Sequence, residues 1–312
     1  MMKIVYMGTP DFAVAPLEAM LQAGYEVTAV VTQPDKQKGR GKEMAMSPVK
    51  ECALKHGIPV FQPTKIKEKD NVEQLRTYEA DIFVVAAFGQ ILSEEILNMP
   101  KYGCINIHAS LLPAYRGAAP IQWSILNGEK ETGVTIQQMA KGVDTGDILS
   151  RVIVPIAEKE TGESLFDKLM LAGAELLVDT LPRIEQGTIV PEKQNEDLAT
   201  YAGKLEKNMG EIDWSKSAVE IERWVRGLNS WPSAFTHYKG KTLKIWEADV
   251  LPNQENVTDP QGSVVAVGKD FFDVVTGDGI LRVKSIQLEG KKRMPVKDFL
   301  LGYEIQKLVL GA

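Results

Sequence analysis

The sequence predicts an open-sheet α/β domain followed by a small antiparallel β-barrel, and three observations carry that expectation. Strand and helix signals alternate from residue 3 to about residue 186, the pattern of an open α/β sheet. One of the strands, DIFVVAA at 81–87, is apolar throughout, as a central strand covered on both faces should be. Beyond residue 209 the order changes to a succession of short strand-like runs separated by Gly and Asp turns. The 312 residues suffice for two domains. The expected division is a first domain at 1–187, a polar connection at 188–208, and a second domain at 209–312.

Residues 3–7 form a short apolar strand, and Gly8-Thr9-Pro10-Asp11 turns into a helix reaching about Ala23, a Rossmann-like opening. The dinucleotide fingerprint G-x-G-x-x-G is absent, so a structural β-turn-α start is favoured over a nucleotide site. Residues 25–31 form the second strand, which runs into QPDKQKGRGKEMAMSP. There Lys36, Lys38, Arg40 and Lys42 alternate with polar residues and glycines, which predicts a mobile basic loop rather than a regular element. Two readings of it stand side by side. It is a solvated surface loop, or an arm that contacts phosphates, bent into a groove by Gly39 and Gly41.

Signals continue through 47–56, 58–61 and 71–78 to the strand at 81–87, which ends in Phe88-Gly89-Gln90. The stretch at 103–123, GCINIHASLLPAYRGAAPIQW, follows as a strand, a Pro/Gly-shaped loop and a helix beginning near Pro120. A helix over 118–126, strands at 132–139 and 148–155, and a long amphipathic helix at 164–186 with Gly187 as its stop complete the first domain. Regularity fades over 188–209. A helix over 217–228 then precedes strands at 234–238, 242–250, 263–267, 271–276 and 280–288, and five strands fit an OB-fold.

No run approaches the roughly 20 apolar residues of a spanning helix. The opening MMKIVYMGTPDF lacks the h-region and small-residue cleavage site of a signal peptide. The two cysteines, Cys52 and Cys104, form no CxxC pair, which points to a reducing cytoplasm and away from a structural zinc site. The net charge of −6 is uneven: residues 209–312 hold 14 basic and 14 acidic side chains, leaving 22 and 28 in the rest. Bulk charge therefore decides nothing about a nucleic-acid partner, and local clusters must.

The chemistry gathers around residues 103–123. A strand period of two puts Asn106 and His108 on one face, at the end of a buried strand where open α/β sheets present ligands. An Asn amide and an imidazole converging on one point can both donate to a developing oxyanion. A glycine-punctuated loop follows with Asp144 and Asp147, and a carboxylate reaching the imidazole can orient it or relay a proton. Of the three histidines, His56 sits near a helix end and His237 on a barrel strand, both with bland surroundings. There is no G-x-S-x-G, no H-E-x-x-H and no ligand spacing, so no metal is expected. The constellation suggests acyl-type transfer by direct attack on a bound donor, with no covalent enzyme intermediate.

These residues resemble the signature of the folate-dependent formyltransferases: Asn106-Ile-His108-Ala-Ser110-Leu-Leu-Pro113-Ala-Tyr-Arg116-Gly117, then Asp144-Thr-Gly-Asp147, in that order and spacing. The resemblance extends over the whole chain through the basic loop, Asp213-Trp214, Trp231-Pro232 and the terminal strands. One departure is Asn229-Ser-Trp-Pro232, where proline is expected directly after asparagine. The resemblance implies a Rossmann-like formyltransferase domain followed by an OB-fold-like barrel that binds tRNA. It implies 10-formyltetrahydrofolate as donor and the α-amino group of methionine on initiator tRNA as acceptor; separately, a cytoplasmic monomer without a membrane partner is expected.

Carried over, Asn106, His108 and Asp144 are catalytic. Ser110, Leu111, Leu112 and Pro113, with Phe88, Gly89, Gln90 and Ile91 from the neighbouring strand end, line the folate site. Lys36, Lys38, Arg40 and Lys42 contact tRNA, with Arg40 entering the acceptor-stem groove, and Lys204, Lys207, Lys291, Lys292 and Arg293 extend the phosphate track. The competing acceptor is a nucleotide-linked amino sugar. Purine-precursor enzymes typically lack the terminal barrel, and a non-catalytic RNA-binding module would not need the trio.

Overall fold

The computed structural model describes residues 2–38, 43–253 and 258–311. In chain order its elements are β1 (Lys3–Gly8), α1 (Val14–Gln22), β2 (Glu26–Val31), β3 (Lys36–Lys38), β4 (Glu43–Ala45), α2 (Pro48–Lys55), β5 (Val60–Phe61) and α3 (Lys69–Arg76). Then come β6 (Ile82–Ala86), α4 (Glu94–Leu97), β7 (Cys104–His108), β8 (Arg116–Gly117), α5 (Pro120–Leu126), β9 (Glu131–Gln138), β10 (Ile148–Pro155) and α6 (Gly162–Glu185). The remainder is β11 (Tyr201–Ala202), α7 (Ala218–Gly227), β12 (Phe235–Tyr238), β13 (Lys241–Leu251), β14 (Val264–Val267), β15 (Phe272–Val275), β16 (Ile280–Leu288), β17 (Met294–Pro295) and α8 (Val296–Phe299). No helix among the described residues is long and apolar enough to cross a membrane.

The chain divides into two compact units. The first holds the residues to Pro120, Glu131–Pro155 and Phe166–Ala202; the second holds Ile121–Lys130, Ile156–Leu165 and the residues from Gly203 onward. The first unit is built on a seven-stranded sheet in the order β10-β9-β7-β6-β1-β2-β5. Strands β5, β2, β1, β6 and β7 run parallel, β9 runs against β7, and β10 against β9. Every residue of β6 is buried, as its unbroken apolar run requires. Val5, Met7, Val31, Phe83, Val85 and Phe88 pack there with Leu75 and Ile96 from the helices.

Both thiols lie inside this unit. The Cys52 thiol donates to Glu18 Oε1 at 3.1 Å, while Glu18 Oε2 pairs with His56 Nε2 at 3.0 Å. Burial, and for Cys52 the facing Glu18 carboxylate as well, pushes both thiols from an ordinary value of 9.0 to about 12. In the unfolded chain they ionise as pH passes about 9, where the folded thiols stay neutral. The unfolded state then binds fewer protons, so stability is expected to fall as pH rises from about 9 towards 12. Alkylation by iodoacetamide near pH 8 is expected to be slow in the native protein and fast in denaturant; equal rates would contradict the burial.

Two local expectations are corrected in the first unit. The stretch at 36–45, expected as an irregular loop, pairs antiparallel where it is described, with Lys36 opposite Ala45 and Gln37 opposite Met44. Alternation of polar with longer side chains suits a two-stranded ribbon, and ladder hydrogen bonds satisfy backbone that a free loop would leave to water. Arg40 and Lys42, with Gly39 and Gly41, lie outside the described residues. The polar stretch expected to be irregular beyond residue 188 carries order of its own. Ile148 and Glu192 exchange backbone hydrogen bonds of 2.7 and 2.8 Å, and β11 pairs parallel with β8. Its partners are distant in sequence, so composition gives no sign of them.

The second unit curls a six-stranded antiparallel sheet into a half-barrel, in the order β12-β13-β16-β15-β14 with β17 also on β16. All five strands expected here are present. The sixth, β17, is two residues long and includes Pro295, so it reads as a turn. Helix α7 starts with a capping box: the Ser217 hydroxyl accepts from Glu220 N–H and the Glu220 carboxylate accepts from Ser217 N–H. Its buried Ile221 and Val225 join Tyr238, Leu243, Phe272, Leu281 and Phe299 in one core.

Candidate active site

Strand β7 delivers Asn106 and His108 to one face at its C-terminal end, as the period of two predicts. In the ladder, Asn106 stands opposite Gln137 and His108 opposite Thr135 of β9. The Thr135 hydroxyl donates to Ser110 O at 2.7 Å and accepts from Leu112 N–H at 3.1 Å. The Ser110 hydroxyl is turned inward, donating to Ala114 O at 2.6 Å. The loop thus folds back so that Tyr115 O receives a hydrogen bond from His108 Nε2 at 2.9 Å.

That bond fixes the tautomer. A carbonyl oxygen only accepts, so Nε2 carries the proton, and Nδ1 is protonated only in the imidazolium. Nδ1 lies 3.6 Å from Asp144 Oδ2, too long for a hydrogen bond but close enough for an ion pair with the protonated ring. Any acceptor oxygen approaching His108 at Nε2 therefore competes with Tyr115 O for the same proton. Among the described residues the Asn106 side chain has no hydrogen-bond partner in the protein, so its amide is available to a ligand.

Asp144 is held from several directions. Its Oδ2 accepts from Gly117 N–H at 2.8 Å and its Oδ1 from Gln137 Nε2 at 2.8 Å. Its backbone is left-handed, with φ at 53°, and Gln194 Nε2 pins that turn by donating to Asp144 O at 2.8 Å and Gly146 O at 2.7 Å. Gly146 is required there, because a Cβ would sit 1.6 Å from Gln138 O. Gln194 Oε1 in turn accepts from Arg116 Nε and Nη2 at 3.1 and 2.8 Å. Arg116 is 1% exposed, and its two terminal nitrogens donate to the two oxygens of Glu196 at 2.8 and 2.7 Å. The guanidinium holds the Glu196 carboxyl below its ordinary range.

Gln137, Gln194 and Glu196 were absent from the sequence expectations. Gln137 carries no local signal beyond a polar residue in a strand, and Gln194 lies fifty positions from Asp144. The residues expected to line a folate site follow β6 and β7, which are neighbours in the sheet. Their side chains are unequally available. Phe88 belongs to the core, Gln90 ties down Ile66 N–H and Pro63 O, Leu112 is buried, and Ile91 is exposed.

The expected phosphate contacts are exposed at Lys36, Lys204, Lys207, Lys291, Lys292 and Arg293. The Arg293 guanidinium lies 5.2 Å from the centre of the Trp246 ring. Among the described residues Glu18, Cys52 and His56 are one group with metal-ligating atoms within 4.8 Å of one another, and it includes none of the residues expected to act. His237 Nδ1 lies 3.7 Å from Glu211.

A donor pair at the end of β7 and a cradled carboxylate opposite, set on an open α/β sheet, are the kinds of group that acyl-type transfer calls for. The family models agree: that of "Formyl transferase" matches residues 2–181 and that of "Formyl transferase, C-terminal domain" matches residues 204–304. Methionyl-tRNA formyltransferase of Agathobacter rectalis is 55% identical over 306 residues, covering 98% of both chains. That of Lachnospira eligens is 54% identical over 312 residues, covering 99% of both. The chain belongs to the methionyl-tRNA formyltransferase family. An N-formyltransferase from Helicobacter canadensis, crystallised with folinic acid and dTDP-3-aminofucose, shares the fold at a TM-score of 0.67. It is 22% identical, and the match covers 94% of this chain and 100% of that one.

Proposed function

We propose that this chain transfers the formyl group of 10-formyltetrahydrofolate to the α-amino group of methionine esterified to initiator tRNA. The observation that carries the reading is full-length identity above half to relatives named for that activity, together with Asn106 and His108 on one face of β7 and the cradled Asp144 beside them. The neutral amine attacks the formyl carbon and forms the new C–N bond. The carbonyl oxygen becomes the oxyanion that Asn106 and His108 stabilise. Collapse breaks the bond to N10, and the proton lost by the attacking amine ends on N10, giving tetrahydrofolate. Asp144 accepts that proton in passing or holds His108 in its charged form.

The donor lies along Phe88, Gly89, Gln90 and Ile91 on one side and Ser110, Leu111, Leu112 and Pro113 on the other. Their place after adjacent parallel strands supports this. Lys36, Lys38, Arg40 and Lys42, with Lys204, Lys207, Lys291, Lys292 and Arg293, contact the phosphates of the acceptor. Two buried free thiols fit a reducing cytoplasm.

The test is incubation with formyl-labelled 10-formyltetrahydrofolate and methionylated initiator tRNA. Labelled formylmethionine on the tRNA is expected, with a dTDP-linked amino sugar left unlabelled. Binding of the tRNA should weaken steeply between about 50 and 200 mM salt. Label on the sugar alone, or a flat salt response, would overturn the proposed acceptor.

A further inference from the structure

Among the described residues, one buried oxygen beside the trio has no hydrogen-bond partner. Gln137 is 2% exposed, and while its Nε2 donates to Asp144 Oδ1 at 2.8 Å, its Oε1 accepts no hydrogen bond. A buried, unpaired acceptor is unfavourable, and folds retain such groups at functional positions more than elsewhere. The next residue marks the contrast. Gln138 lies on the opposite face of β9 and donates to Cys104 O at 3.1 Å, an ordinary structural contact.

Gln137 stands directly across the ladder from Asn106, and residues so paired carry their side chains on one face with Cβ atoms roughly 4.5–5.5 Å apart. The side-chain donor opposite the unpaired Oε1 in register is thus the Asn106 amide, which no described residue engages, Gln137 included. We propose that Gln137 is a positioning residue for formyl transfer: its amide nitrogen fixes the Asp144 carboxylate, and in the substrate-bound site its carbonyl oxygen, unpaired among the described residues, takes one N–H of Asn106. The second N–H of Asn106 then points to the developing oxyanion. One side chain orients two members of the site that belong to different elements, β7 and the loop after β9. This inference rests on the formyl-transfer reading above.

The test compares Gln137→Met and Gln137→Glu with the wild-type protein, using labelled 10-formyltetrahydrofolate and methionylated initiator tRNA. Gln137→Met keeps the volume and removes both hydrogen bonds. Its kcat is expected to fall about tenfold with KM for both substrates within about twofold. Gln137→Glu sets a second carboxylate against Asp144 and is expected to be slower still at neutral pH. As pH falls towards about 5.5 the introduced carboxyl regains a proton and can donate to Asp144, so its deficit relative to wild type should shrink. The other ionisable side chains that face this position are His108 and Asp144, present in both proteins, and the ratio to wild type isolates what the introduced carboxyl does to them. Unchanged kcat in both variants would overturn the proposal, as would a loss confined to KM or a Gln137→Glu deficit that does not change with pH. The wild-type protein in the same assay reports on the functional reading by itself.

Discussion

Asn106→Ala is expected to transfer formyl groups about 10²–10³ times more slowly than wild type, with kcat falling and the melting temperature holding. The asymmetry follows from its surroundings. Asn106 is half-buried, and among the described residues no hydrogen bond ties its side chain to the protein, so truncation breaks no native contact of the amide. On the proposed role it removes a donor to an oxygen that becomes negative only as the reaction proceeds, and such a loss appears in kcat. His108→Ala should lose a comparable factor but also removes the hydrogen bond from Nε2 to Tyr115 O, so some fall in thermal stability accompanies it. Rapid-quench measurement of formylmethionyl-tRNA, paired with a thermal melt by circular dichroism, separates the two. Near-wild-type turnover in Asn106→Ala would sink the oxyanion role.

Arg116→Met is expected to lower stability by about 2–3 kcal/mol and the melting temperature by roughly 5–10 °C. The guanidinium is buried and joins Gln194 to Glu196. Without it Gln194 Oε1 loses both donors, and the amide that pins Asp144 O and Gly146 O loses its anchor. Formyl transfer should therefore fall about tenfold, although Arg116 touches none of the three acting side chains. Arg116→Lys should restore little of it, because one ammonium cannot serve the amide and the carboxylate as a planar fork does. An unchanged melting temperature in Arg116→Met would show that the network supports nothing.

What could be read from the chain beforehand, and what could not, divides by the range of the interaction. Asn106 and His108 share a face because strand geometry repeats every two residues, and that needs only the local sequence. Asp144 is visible because a glycine-flanked carboxylate marks a tight loop, and Gly146 does sit where a side chain could not fit. Gln137 was invisible because nothing local distinguishes it from Gln138; only pairing with β7 tells which of the two faces the site. Arg116 was noticed as part of a motif, yet its partners lie 78 and 80 positions away in a stretch whose polarity suggested irregular chain. The hairpin of β3 and β4 was missed for a related reason, since charge masked a weak alternation.

The support of Asp144 by Gln194 sets a schedule for synthesis. The carboxylate leaves the ribosome fifty positions ahead of the amide that pins its backbone. At about 5–20 residues per second, that is an interval of roughly 3–10 s. During it the strand carrying both Asn106 and His108 can already pair with its neighbours β6 and β9, but the turn bearing Asp144 lacks that anchor. The turn around Asp144 therefore gains its full support only once residue 194 has emerged, and a fragment ending at residue 187 is expected to hold the strands of the sheet without that support.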